Sequence, residues 1–223
     1  MVGVRQGRGT LPEDLVAIHR LDVIAGICPA DDGGLHIGAG TTHREIAADP
    51  EVRARFAGLA DASAIVGSPA TRAAGTLGGN IANASPAADT VAPLICLGAI
   101  ATIRSAGGER HAPVEGLITG PRRTTLRPDE LILAVELPDP APGTGSAYVR
   151  LEYRRQMEIA VVGAAAVVTL GADGRITAAA FAGSVPSRTC GFGSPSRLIE
   201  ATPCSAHSWK RCTAQPRLSV SDF

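Results

Sequence analysis

The sequence predicts an α+β fold, and three observations carry that reading. Helix-cap signals cluster between residues 42 and 59, where Thr42-His43-Arg44-Glu45 and Asp49-Pro50 stand ahead of apolar residues. Period-two apolar runs bounded by turn residues fill most of the chain from 99 to 183. Helices and strands are mixed without the strand–helix–strand rhythm of a parallel sheet.

Taken in order, residues 14–27 read as a short connection and Leu35-His36-Ile37 as a short strand. Gly38-Ala39-Gly40 follows, and the Thr42/Glu45 pair fits a capping box opening a helix. Asp49 as N-cap and Pro50 in the first turn start a second helix, in which Val52, Phe56 and Leu59 recur at helical spacing. Residues 67–85 read as one long, polar, Gly-rich loop, followed by a helix over about 87–97. Residues 99–105 and 109–113 flank Gly107-Gly108 as a hairpin. Leu131, Leu133, Val135 and Leu137 alternate as one face of a strand. Residues 138–145, with three prolines and two glycines, read as a linker. Strands over 147–153, 160–170 and 175–183 come next, the last two joined by a turn at 171–174.

Composition excludes several function classes. The 223 residues are 45% hydrophobic and 19% charged, an ordinary globular balance. Lys+Arg 21 equals Asp+Glu 21, so a general nucleic-acid footprint or basic membrane patch is not expected. Aromatics are 3%, too few for base-stacking platforms. Lys210 is the only lysine, which reads first as coding bias. No stretch approaches the roughly 20 apolar residues of a membrane span, and no signal-peptide layout is visible, so a cytoplasmic location is expected. Cys28, Cys96, Cys190, Cys204 and Cys212 form no CxxC pair, so redox chemistry here needs an organic cofactor.

The segment Gly75-Thr76-Leu77-Gly78-Gly79-Asn80 is the candidate site. Glycines let backbone approach a ligand closely, and consecutive amides can form an anion-binding nest. Thr76 and Asn80 add side-chain donors, while a Walker ending and the GxGxxG spacing are both absent. The segment suits holding a pyrophosphate; a plain glycine-rich surface turn is the other reading. Asp89 would be repelled by phosphate, so it suits ribityl or ribose hydroxyls, or else the first turn of the next helix.

Residues 74–89, Ala-Gly-Thr-Leu-Gly-Gly-Asn-Ile-Ala-Asn-Ala-Ser-Pro-Ala-Ala-Asp, resemble the second flavin segment of molybdenum hydroxylase FAD-binding subunits. That family includes carbon monoxide dehydrogenase medium subunits and the central domain of xanthine dehydrogenase. Residues 37–46, 128–132, Tyr148-Val149-Arg150, Arg154-Arg155 and Ile159-Ala160 are similar too, so the likeness runs from about Leu15 to Gly183. It implies a PCMH-type FAD-binding domain over 1–140 and a small α+β C-terminal domain over 146–223 with an antiparallel sheet, degenerate after about 185. It implies FAD as cofactor, no metal site, and electron relay from iron–sulfur clusters through FAD to NAD, a quinone or another acceptor. The implied partners are a molybdopterin-containing large subunit and a 2Fe-2S small subunit. By position, Thr76, Leu77, Gly78, Gly79 and Asn80 match the pyrophosphate segment, and Ser85 lies in the same motif. Asp89 matches a flavin contact, Ile132 an apolar contact near the ring, and Arg150 a basic contact. Met1-Val2-Gly3-Val4-Arg5 looks like residues just after the family's first flavin loop, so that clamp and its subdomain are expected to be missing. A flavin-free remnant serving as a docking module is the alternative.

Other residues have blander readings beside functional ones. His43 could be an acid/base or a solvated first-turn residue. Tyr148 and Tyr153 could stack on a flavin or pack as ordinary strand residues. Arg154-Arg155 could dock a partner or simply be exposed. Cys28 and Cys96 read as small buried apolar residues. Residues 185–223 hold three of the five cysteines and the only tryptophan, without sustained period. They read as a loose terminus or as sequence translated out of frame.

Overall fold

The computed structural model of the protein describes residues 14–153 and 159–184. Arg154-Arg155 and the segment 185–223 lie outside the described residues.

Alternating apolar residues build the first sheet. Strands β1 (Ile27–Pro29), β2 (Leu35–Gly38), β3 (Ile100–Ser105), β4 (Gly108–Pro113) and β7 (Leu131–Leu137) form five antiparallel strands in the order β1-β2-β7-β3-β4. Ile37 lies opposite Val135, and Val135 opposite Ala101, which lays a buried stripe across three strands. On the other face Cys28 stands opposite His36, and His36 opposite Glu136. The expected hairpin forms one residue earlier than read: Ser105 pairs with Gly108, so Ala106-Gly107 make the turn. Between β4 and β7 the chain adds helix α7 (Val114–Leu117) and a two-stranded ribbon, β5 (Ile118–Gly120) with β6 (Arg123–Thr124). The sequence reading has no counterpart for these.

The capping signals produce the helices they predict. Helix α1 (His43–Ala48) carries a full capping box: the Glu45 amide donates to Thr42 Oγ1 at 3.3 Å, and the Thr42 amide to Glu45 Oε2 at 2.8 Å. Helix α2 (Pro50–Arg55) is capped by Asp49, whose Oδ1 accepts from the Val52 amide at 2.9 Å. The helix expected to continue through Leu59 instead breaks at Phe56, and α3 (Ala57–Ile65) starts there. The break buries Phe56 and Leu59 together and brings Gly58 onto the Ala147 backbone, where a Cβ would sit at 3.1 Å.

The loop expected over 67–85 is corrected: it holds two short helices, α4 (Pro69–Ala74) and α5 (Leu77–Asn83). Ser68 caps the first with Pro69 in its first turn, and Thr76 caps the second. Helical glycine is unfavourable by about 1 kcal/mol against alanine, and two caps with tertiary packing outweigh it. Ala84, at φ 44°, ends α5 in the left-handed region. Helix α6 spans Val91–Cys96, shorter than the expected 87–97.

The second sheet is β8 (Thr144–Leu151), β9 (Val162–Leu170) and β10 (Ile176–Ser184), antiparallel with β9 central. Helices α3 and α6 pack on its inner face, where Tyr148, Ala165 and Ala182 form one buried row. The outer face has rows Leu151–Val162, Val149–Ala164–Gly183, Ala147–Ala166–Phe181 and Gly145–Val168–Ala179. Between the two sheets lies one core, with Phe56, Leu59, Ile46, Leu94, Ile103 and Leu137 fully buried. Each such side chain contributes roughly 1.5–3 kcal/mol. No helix among the described residues is long and apolar enough to cross a membrane.

Candidate functional site

The first turn of an α-helix leaves amide donors without intrahelical partners. In α5 those donors are answered from within the chain. The Leu77 amide donates to Thr41 O at 3.0 Å and the Gly78 amide to Ala39 O at 2.9 Å. The Gly79 amide donates to Thr76 Oγ1 at 3.2 Å, and the Asn80 amide to Thr76 O at 3.0 Å. The Gly75 amide donates to Thr71 O at 2.6 Å. The free nest of amides anticipated over 75–80 is therefore corrected: five of these six amides have internal partners, because the turn after β2 supplies carbonyls to the helix start.

What α5 presents instead is a wall. A Cβ on Gly78 would sit 2.6 Å from Ala39 Cβ, so only glycine allows the helix this close to the turn. A Cβ on Gly79 would meet only Thr76 Oγ1, at 2.9 Å. Beside it opens a cavity of about 230 Å³. One wall is Thr76, Gly78, Gly79 and Ala82, the floor is Ala39 and Gly40, and the far wall is Leu126 and Glu130–Ile132. Ile18, His19 and Ile24 complete the lining. Glu130 does not leave a bare charge there. Arg110 donates to its two oxygens at 2.8 Å each, and the Arg127 amide donates at 2.9 Å. These hydrogen bonds, Arg110's first, hold the Glu130 carboxyl down at a pKa of about 2.

Of the residues singled out in the sequence, Thr76, Gly78, Gly79 and Ile132 meet at this cavity. Leu77 points into the core and is fully buried. Asn80 Nδ2 donates to Thr90 Oγ1 at 2.9 Å, and Ser85 Oγ accepts from the Ala87 amide at 3.3 Å. Asp89 and Arg150 meet each other elsewhere. Arg150 Nη1 donates to Asp89 Oδ2 at 3.2 Å and to Ile65 O at 3.1 Å, and Tyr148 Oη donates to Asp89 Oδ1 at 2.8 Å. Arg150 Nε donates to Glu152 Oε2 at 2.6 Å. Burial raises the Asp89 carboxyl above the usual carboxylate range, against the opposing pull of Tyr148 and Arg150. Burial likewise pushes the Tyr148 phenol up.

Three bland readings change. His43 is buried rather than solvated, with 2% of its surface exposed and Nδ1 without a partner. Desolvation lowers its pKa to about 4. Cys28 is exposed rather than buried, whereas Cys96 is buried as read. Tyr148 packs in its strand and Tyr153 is exposed. A wider groove of about 540 Å³ runs past Cys28, His36 and Glu136 and contains none of the anticipated site residues. Among the described residues no group of His, Cys, Asp or Glu is placed to hold a metal ion. The sequence reading missed Ala39, Gly40, Leu126 and Glu130 as cavity residues; the signal was the Gly-Ala-Gly turn directly after a strand.

Residues 2–140 match the family model described as the FAD binding domain in molybdopterin dehydrogenase. The chain belongs to this family. The xanthine dehydrogenase FAD-binding subunit of Escherichia coli O157:H7 is 35% identical over 153 residues, covering 68% of this chain and 52% of that protein. The carbon monoxide dehydrogenase medium chain of Hydrogenophaga pseudoflava is 34% identical over 158 residues, 70% of this chain and 54% of that one. The FAD-binding fold is matched in reconstituted CO dehydrogenase from Oligotropha carboxidovorans with a TM-score of 0.79 and 26% identity, over 89% of this chain and 66% of that one. Quinoline 2-oxidoreductase from Pseudomonas putida 86 matches with a TM-score of 0.79 and 25% identity, over 99% and 78%. The chain spans about half the length of the curated relatives it matches. The cavity suits the family's cofactor in part. Its volume takes one end of a dinucleotide, since whole drug-sized ligands need roughly 300–1,000 Å³.

Proposed function

We propose that the chain is the FAD-carrying part of a molybdenum hydroxylase, an electron relay between partner iron–sulfur clusters and an external acceptor such as NAD or a quinone. The observation that carries this is the meeting of Thr76, Gly78, Gly79 and Ile132 around one cavity in a chain of the FAD-binding family. FAD, when bound, supplies the redox chemistry, accepting electrons singly or in pairs and releasing them to the acceptor. The chain's residues bind and orient. Gly79 leaves the backbone of α5 open to the cofactor, Gly78 seats α5 against Ala39, and Thr76 offers its hydroxyl at the rim. Ile132 and Leu131 give apolar surface that excludes water. Asp89, Arg150 and Asn80 act one layer behind, holding the segment that ends at Thr90 against α5 and the second sheet. The partners that fit are a molybdopterin-containing large subunit and a 2Fe-2S small subunit, by likeness to the relatives' multi-subunit enzymes.

The test is reconstitution of the purified chain with FAD, alone and with partner subunits, followed by desalting and a flavin absorbance spectrum. Retained flavin that Gly79→Leu abolishes, with the fold retained by circular dichroism, is the expected result. No retained flavin in either setting favours the alternative, a flavin-free docking module, to which the internally bonded amides of 77–80 already lend weight.

A further inference from the structure

Strand β7 keeps a regular alternation only over its second half. Val135 and Leu137 face the core, and the same phase carried backward would turn Leu133 and Leu131 inward. The pairing with β3 breaks that phase. Ala134 lies opposite Thr102 and Ile132 opposite Ile103, so Leu133 is an extra residue without a partner on β3. This bulge exchanges the two faces upstream of it: Ile132 is 4% exposed and Leu131 38%. Bulges re-aim side chains beside functional sites. Here the side chain turned inward is one that lines the cavity.

The apolar residues alone do not select this register. A regular strand would bury Leu131, Leu133, Val135 and Leu137 together, so the hydrophobic pattern favours the unbulged phase. Polar contacts oppose it. Ile103 stands opposite Ile132 on one side and opposite Arg110 of β4 on the other, so Arg110 and Ile132 share a face. Glu130, two residues before Ile132, falls on that face as well. Its side chain is 1% exposed, and its carboxylate accepts from Arg110 Nε and Nη2 at 2.8 Å each and from the Arg127 amide at 2.9 Å. In the unbulged phase Glu130 would stand on the face opposite Arg110, and the two-pronged pair could not form. On the β2 side, the Ala39 amide donates to Leu133 O at 2.8 Å and holds the displaced residue.

We infer that Glu130 is a positioning residue: by clasping Arg110 it holds the bulge at Leu133 and keeps Ile132 turned to the cavity. What this does for cofactor binding rests on the reading of that cavity as the FAD site.

Isoleucine methyl NMR of the full chain and an FAD titration followed by flavin fluorescence test the two parts separately. The unaltered chain should show a methyl NOE between Ile132 and Ile103. Glu130→Ala and Arg110→Gln, each shown folded by circular dichroism, should lose it. FAD affinity should fall with it by about tenfold, the worth of one apolar contact surface. Arg110 lies on the edge strand of the sheet, so its variant tests the pair even where Glu130→Ala does not fold. Glu109→Gln, next to Arg110 on β4, should change neither measurement. An NOE that is missing from the unaltered chain, or that persists in the folded variants, overturns the inference, as does FAD affinity unchanged where the NOE is lost. An unaltered chain that binds no FAD, with the NOE responding as expected, upholds the positioning role and overturns the cofactor reading.

Discussion

His43 shows how one side chain's surroundings set its chemistry. Its neighbours in sequence, Thr42, Arg44 and Glu45, are those of a solvated helix start, so its burial could not be read from them. Three-dimensional packing puts it under Gly75, where a Cβ would lie 3.3 Å from the ring. The folded imidazole resists protonation down to about pH 4, whereas the unfolded one titrates near 6.5. Between those values the unfolded state binds more protons, so stability falls as pH drops from 6.5 toward 4, by up to about 3 kcal/mol. Urea unfolding at pH 7 and pH 4.5 checks this: His43→Leu should lose distinctly less stability over that interval than the unaltered chain. At the same scale, the motif singles out Thr76, Gly78, Gly79 and Ile132, and these four line one cavity. It singles out Asp89 and Arg150 too, but not as a pair, because residues 61 positions apart reveal no contact in one sequence.

At the scale of elements, legibility followed local signals. Capping side chains three residues from their amides located α1 and α2, and period-two alternation located β7 and all three strands of the second sheet. The two helices inside 67–83 were hidden by glycines that weigh against a helix in isolation. Helix α5 has only seven residues, and its start depends on Thr76. Thr76→Ala should destabilise the chain by about 1 kcal/mol in chemical denaturation, while Thr76→Ser, which keeps the acceptor, should stay within a few tenths. Equal losses for both variants would show that the methyl group, not the cap, matters.

Across the whole molecule, the Asp89–Tyr148–Arg150 cluster joins the segment before α6 to the second sheet. The side chains of Arg150 and Asp89 are 4% and 9% exposed. Removing the two partners should have unequal effects. Asp89→Ala takes one carboxylate from a buried guanidinium that cannot shed its proton, leaving it Glu152, and takes the acceptor from the Tyr148 hydroxyl, and should cost up to about 3–5 kcal/mol. Arg150→Met leaves a carboxyl that burial already inclines to hold a proton, so its loss should be smaller. Equilibrium unfolding in urea at pH 7 ranks them, and the reverse order would show that Glu152 alone satisfies Arg150. The antiparallel α+β class was legible because it follows from summed local patterns. How the two sheets share a core was not, since that depends on contacts such as Gly58 against Ala147.

The bonded walls of the cavity have a thermodynamic consequence. Leu77 and Gly78 are tied to Thr41 and Ala39, Ala39 donates to Leu133 O at 2.8 Å, and Thr41 Oγ1 donates to Gly26 O at 2.9 Å. Helix, turn and strand form one stitched frame before anything enters it. A guest then freezes little chain on arrival, so the conformational entropy lost on association is small, and affinity is governed by surface match and desolvation rather than by induced ordering.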